Sequence, residues 1–519
     1  MFKGHPKGLI AASLANMGER FGFYTMMAIL VLFLQAKFGL TGGDAGLIYS
    51  VFYFSIYILA FVGGLIADRI RNYKGTILIG ILVMALGYLI VALPTETPVP
   101  ADKRTLLLIL TNFGLFVIAF GNGLFKGNLQ ALVGQMYDNE KYGSKRDSGF
   151  SLFYMFINVG AIFAPFTAIG IRNWWLNNNG FNYNPDLPAM CHKHLESGLS
   201  EQALARFNDM QAQATNTTEL ANMNLDAFAS KYLEVFSTGF HYAFGIAVGA
   251  MIISLLIYLS NKNKFPSVQK KAKDDAKKEA VGSEMSTKEI KQRLYALFAV
   301  FGVVIFFWFS FHQNGLTLTM FARDYTDLSG IALNLGFVTI EGAEIFQSIN
   351  PIFIVFLTPI VVGLFGWLRA RGLEPSTPKK IAIGMFIAGM AYVVMILGSM
   401  GLPEFSTIDP QQDGVPLAEA QRVTPMLLIG TYFILTMAEL FISPLGISFV
   451  SKVAPPQYQG IMQGGWLGAT ALGNQLLFIG AILYESVPLW LTWSVFVVAC
   501  FISMGTMIFM LKWLERVSK

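Results

Sequence analysis

Long apolar runs alternate with short polar ones along the 519-residue chain. Twelve of these runs approach or exceed the roughly 20 residues that a helix needs to cross a bilayer. They are residues 10–36, 45–67, 75–95, 104–134, 149–171, 236–260, 294–321, 346–368, 378–400, 422–451, 457–483 and 487–511. The runs are continuously apolar and too long for barrel strands, so they predict helices. Two stretches break the rhythm. Residues 261–293 are dense in charge and read as a solvated linker. Residues 173–235 are polar and acidic, open on Trp174-Trp175, and are helix-like near 200–213. They predict a long outer loop between helices 5 and 6. The expected fold is an all-α membrane protein of twelve transmembrane helices in two six-helix bundles. Residues 1–260, including the loop 173–235, form the first bundle, 261–293 the linker, and 294–519 the second bundle.

Composition agrees with this class. The chain is 54% hydrophobic and 13% charged, against about 25% charged in soluble domains. Lys and Arg set the orientation. With both termini cytoplasmic, 26 of the 37 Lys and Arg lie on the inner side and 9 on the outer side. The remaining two, Arg20 and Lys126, fall inside spans. The expected location is therefore a cytoplasmic (inner) membrane, multi-pass. The N-terminus reads as a cytoplasmic tail entering the first span, with no cleavage site. The net charge of +5 is explained by the loops and calls for no nucleic acid. Cys191 and Cys500 make neither a disulfide framework nor a metal site. The chain carries no HExxH, no GxSxG in a suitable context and no nucleotide loop, so neither enzyme chemistry nor a cofactor is expected.

The candidate chemistry is the set of ionisable groups within spans, where desolvation costs several kcal/mol, of order 2–4 on insertion scales. These are Glu19, Arg20, Lys126 and Glu439. Asn16, Glu19, Arg20 and Phe23 follow the i, i+3, i+4, i+7 spacing of one helical face. That face must look into the bundle. Lys126 lies in GNGLFKGN, whose glycines allow close helix approach. Glu439 lies in TMAELFISPLG, where Pro444 loosens the helix. The cations belong to the first half and Glu439 to the second. A zwitterion held between the halves would place its carboxylate on Arg20 and Lys126 and its amine on Glu439. The competing reading is an internal salt-bridge network that holds the bundles together.

The six-linker-six plan is the layout of the major facilitator superfamily. GGLIADRIRNYK (63–74) resembles that superfamily's short basic signature, with Asp68, Arg69, Arg71 and Lys74 as gate residues. GERFGFYTMMAI (18–29), FYMFINVGAIFAP (153–165), GNGLFKGN, SINPIFIV (348–355) and AELFISPLG together resemble the proton-dependent oligopeptide transporter (POT/PTR) family of that superfamily. The resemblance implies import of di- and tripeptides by alternating access, coupled to protons, in a chain working as a monomer in the lipid bilayer. It implies substrate binding by Arg20, Tyr24, Tyr57, Lys126, Asn158, Trp308, Asn350, Glu439 and Trp466. The first-half cations would take the peptide carboxylate, and Glu439, Asn158 and Asn350 the amino terminus. Proton coupling would fall to Glu19, His312 and Glu439.

Departures from the family pattern bear on coupling. Asn16 stands where the family has its first motif Glu, and an amide does not titrate. Phe23 replaces a tyrosine, and Gly127 a proline. His312 occupies a place where Gln or Glu is expected, and His is the side chain that titrates near neutrality. His312 is therefore a candidate replacement for the missing acid, beside the plainer reading of a pocket histidine. The alternatives to proton-coupled peptide import are a facilitator, or a carrier of another small anionic or zwitterionic solute with altered coupling. A membrane sensor, supported only by the long loop, is a further one. The linker is too polar for the two extra helices that bacterial members often carry, so twelve spans are expected.

Overall fold

The twelve apolar runs fold as twelve helices long and apolar enough to cross a membrane. A computed structural model describes residues 4–70, 72–266, 285–455 and 458–518, without the side chains of Asp68, Ser144 and Asp147. Spans 1 to 6 are Gly8–Phe38, Gly42–Ile70, Tyr73–Ala92, Arg104–Met136, Arg146–Asn178 and Leu225–Asn261. Span 7 runs from Thr287 to Tyr325, broken by a tight turn at His312–Gly315. Spans 8, 9 and 10 are Phe346–Ala370, Thr377–Gly398 and Met426–Val453. Span 11 is Gln459–Gln475 continued by Leu477–Ser486, and span 12 is Leu489–Val517.

Local chemistry sets several of the ends. Span 1 stops where Gly39 adopts a left-handed φ of 60° and its N–H bonds the Gln35 carbonyl, the usual role of glycine past a helix C-terminus. Asn72 caps span 3 by accepting from the Gly75 N–H at 3.0 Å. Ser286 caps span 7 by accepting from the Glu289 N–H at 3.2 Å. Pro165, Pro351, Pro359 and Pro444 lie inside helices that continue through them.

Spans 1–6 pack mainly on one another, as do spans 7–12. Span 4 is the organiser of the first half, lying against spans 2 and 3. Glycine makes this approach possible. A Cβ built on Gly63 would stand 2.1 Å from the Gly123 carbonyl oxygen, and one on Gly80 2.9 Å from that of Gly121. The same distance separates a Cβ on Gly87 from the Gly114 carbonyl oxygen. Between the halves, span 2 meets span 11 and span 5 meets span 8.

The segment between spans 5 and 6 differs from expectation in its limits. Span 5 reaches Asn178 and span 6 begins at Leu225, so the irregular insert is 179–224 rather than 173–235. Both spans outrun their apolar windows because their extensions pack on the insert's own core. Phe181, Leu187, Met190, Phe207, Met210, Phe228 and Tyr232 are all fully buried there. The insert carries three short helices, Leu187–Ser197, Glu201–Gln213 and Thr218–Ala221. Most of the charged linker, 267–284, lies outside the described residues.

Candidate functional site

In the first half the polar face of span 1 turns inward, as its spacing requires. Asn16, Glu19, Arg20 and Phe23 are all buried. The Arg20 guanidinium donates through two nitrogens to the two carboxylate oxygens of Glu19, each at 2.5 Å, and lies 4.7 Å over the Phe23 ring. Asn122 of span 4 donates its Nδ2 to Glu19 Oε1 at 2.6 Å. Lys126, one turn further along span 4, lies within electrostatic reach of this pair. Its Nζ sits 4.7 Å over the Tyr57 ring, and no carboxylate among the described residues forms a salt bridge with it. Sequence reasoning brought Glu19, Arg20 and Lys126 together. The structure joins the first two directly and leaves the lysine half-buried on an aromatic face.

In the second half, Asn350 of span 8 donates its Nδ2 to Glu439 Oε2 at 2.9 Å and to Thr436 Oγ1 at 3.0 Å, both on span 10. Glu439 and Asn350 are half-buried. Tyr24 and Tyr57 are within electrostatic reach of both Arg20 and Glu439. The cations Arg20 and Lys126 of the first half and the Glu439–Asn350 pair of the second thus share an interior with these tyrosines. Asn158 of span 5 is half-buried, and its amide bonds back to the Tyr154 carbonyl at 3.4 Å.

The two tryptophans are placed differently from expectation. Trp308 is 6% exposed and stacks on His312, ring centroids 4.8 Å apart. Trp466 is 3% exposed and lies on Gly446, where a Cβ would come within 1.9 Å of the indole. Both rings are thereby committed to helix packing rather than open at a cavity wall. His312 is held between Trp308 and Tyr53, whose ring is 4.7 Å away, and its Nδ1 bonds Asn474 Oδ1 at 2.5 Å. The sequence placed His312 in the interior but gave no sign of this aromatic box. Of the basic signature, Arg69 is exposed, and Lys74 donates to the Lys262 carbonyl at the start of the linker at 3.2 Å. The Asp68 side chain and Arg71 lie outside the described residues.

Sequence reasoning missed a second group entirely. At the end bearing the insert, polar side chains cross from one half to the other. Arg172, six residues before the end of span 5, pairs with Glu344 just before span 8, and both are buried. The Arg172 guanidinium lies over three rings, nearest Tyr183 at 4.2 Å. Asn173 donates to the Thr339 and Glu341 carbonyls at 2.8 and 3.0 Å. Arg422 meets Asp186 of the insert at 2.5 Å, Lys193 meets Asp413 at 3.0 Å, and Arg323 reaches Gln35 at 2.6 Å. The Glu485 carboxylate accepts the Gly42 and Gly43 amides at the start of span 2. Burial pushes the Asp186 carboxyl above its ordinary range, with Arg422 pulling it down. The available signal was the unequal spread of Lys and Arg, which had served only to assign sides.

Comparison with known proteins follows the same lines. The POT family (PTR2) matches residues 74–281 and 270–489, most of the chain. This chain belongs to the POT family. It is 29% identical over 499 residues to the "Peptide transporter YePEPT" of Yersinia enterocolitica, covering 91% of this chain and 87% of that one. It is 26% identical over 485 residues to a "Di-/tripeptide transporter" of Lactococcus lactis subsp. cremoris, covering 92% and 89%. A solved structure of "peptide transporter POT in complex with sulfate" superposes with a TM-score of 0.70 at 22% identity, covering 100% of this chain and 96% of that one. The last likeness is one of fold: this POT-family chain shares the architecture of that transporter over its whole length.

Proposed function

We propose that this chain is a secondary active transporter that imports di- and tripeptides by alternating access, coupled to protons. The observation that carries the reading is the division of charge across the interior. Arg20 and Lys126 lie in one half, and Glu439 with Asn350 in the other, sharing an interior with Tyr24 and Tyr57. A peptide of two or three residues is a zwitterion of matching polarity. Binding it draws the halves together, the differential contact that a two-state carrier requires. The relatives described as peptide transporters support the same substrate class.

In this reading Arg20 and Lys126 take the carboxylate, with Tyr24 and Tyr57 beside them. Glu439, Asn350 and Asn158 take the amino terminus, and Trp308 and Trp466 shape the pocket from behind. Residues 1–260 and 294–519 move as two bundles about the linker 261–293. Asp68, Arg69, Arg71 and Lys74 close the end that bears the termini. The protein works as a monomer in a cytoplasmic membrane with both termini inside, and it is not an enzyme. Glu19, His312 and Glu439 handle protons. A facilitator with weak coupling is the second reading, favoured by the non-titrating Asn16 in place of an acid and by the boxed His312.

Counterflow of labelled dialanine in proteoliposomes tests transport, and an imposed pH gradient tests coupling. Wild type is expected to exchange dialanine without a gradient and to accumulate it when the outside is acidic. His312→Gln is expected to reduce accumulation while sparing exchange. No exchange by the wild type overturns the peptide reading. Exchange without gradient-driven accumulation selects the facilitator.

A further inference from the structure

Glu19 is crowded by donors. Arg20 gives it two hydrogen bonds and Asn122 one. Around it stand Arg20 and Tyr24 on its own span, Tyr88 of span 3, and Asn122 and Lys126 of span 4. Arginine and ammonium groups can only donate, so they favour the ionised carboxylate over the protonated carboxyl, part of whose surface has become a donor. Asn122 differs. Its Nδ2 faces Glu19, its side chain is 1% exposed, and its Oδ1 is buried with no hydrogen-bond partner among the described residues. An amide oxygen left unpaired in the interior is costly. A half-turn of the amide would bring that oxygen to Glu19.

We infer that Asn122 is a positioning residue for proton coupling, an amide that serves Glu19 in both of its protonation states. The inference rests on the proton-coupled reading above. With Glu19 ionised, the Asn122 N–H holds the carboxylate on Arg20, and Lys126 is left to its aromatic face. When a proton from the aqueous interior binds Glu19 Oε1, the new O–H becomes a donor. Asn122 turns, and its Oδ1 accepts that O–H. Arg20 loses its anionic partner and is free to take the carboxylate of the ligand. Loss of the proton reverses each step.

The inference is tested by the pH profile of dialanine uptake in proteoliposomes with Asn122→Ala and Asn122→Asp beside the wild type. The amide's bond to the ionised carboxylate is charge-assisted and stronger than its bond to the neutral carboxyl, so losing both favours protonation, and Asn122→Ala is expected to move the acidic limb of the profile upward by about one pH unit. Asn122→Asp, nearly the same shape, adds a like charge and is expected to move it further in the same direction. Asn122→Gln keeps the amide and is expected to return the limb partway toward wild type. A merely structural role lowers maximal uptake without moving the limb. Folded variants of Ala and Asp that keep the wild-type profile overturn the inference. If the wild type itself shows no dialanine exchange, the peptide reading fails instead, and the two failures are told apart by that control.

Discussion

The two ends of the helical bundle are bonded in different ways. At the insert end, charged and polar side chains join one half to the other: Arg172 to Glu344, Arg422 to Asp186, Lys193 to Asp413 and Glu485 to the Gly42 and Gly43 amides. At the end bearing the termini, the corresponding bonds among the described residues do not cross from one half to the other. Lys74 meets Lys262, Arg293 meets the Val453 carbonyl, and Ser376 meets Glu515 at 2.5 Å. The structure is therefore held shut at one end by contacts between halves, while each half keeps its own shape at the other. Electrostatic bonds placed between bodies act on their relative position, whereas the same bonds placed within a body act only on stability.

Three substitutions test this contrast. Arg172→Ala leaves the Glu344 carboxylate buried without its cation, which costs about 3–5 kcal/mol in comparable buried pairs. It should lower the unfolding temperature and broaden the distance between spin labels placed across the insert end. An unchanged distance distribution would show that the pair does not hold the halves. Labels can go on introduced exposed cysteines, because the native Cys191 and Cys500 are buried. Glu485→Gln removes the anion from the first turn of span 2, worth about 1 kcal/mol, and should broaden the same distances to a smaller degree. Glu374→Gln is the control at the other end. Hydrogen bonds from Arg369 and Lys380 hold the Glu374 carboxyl down at about 2. Its contribution is therefore full above the ordinary value of 4.5 and fades as pH falls through about 2. This partly exposed group is worth about 0.5 kcal/mol. Its substitution should weaken stability slightly at neutral pH, lose that effect in acid, and leave the label distances alone.

Much of the scaffold was legible in the chain, for identifiable reasons. Twelve apolar windows gave twelve helices because a bilayer permits few alternatives. The spacing of Asn16, Glu19, Arg20 and Phe23 gave the buried polar face, because a charge in a span has nowhere else to turn. The family resemblance named Asn350 and Glu439 for the same end of the ligand, but their direct bond is seen only in the structure. Contacts between distant segments were not legible. Nothing near Arg172 announces Glu344, and nothing near Trp466 announces that its ring needs Gly446 to be bare. The limits of the insert were also misjudged, since hydropathy follows the membrane while spans 5 and 6 extend on a core of their own.

The glycine contacts along span 4 carry a consequence for how the sequence can change. At Gly63, Gly80 and Gly87 the facing backbone lies where any side chain would begin. A polar loop tolerates drift because water fills whatever it leaves. These three seams have no such slack, and a single methyl group would wedge neighbouring helices apart along their length. The first half is in this sense a keyed assembly.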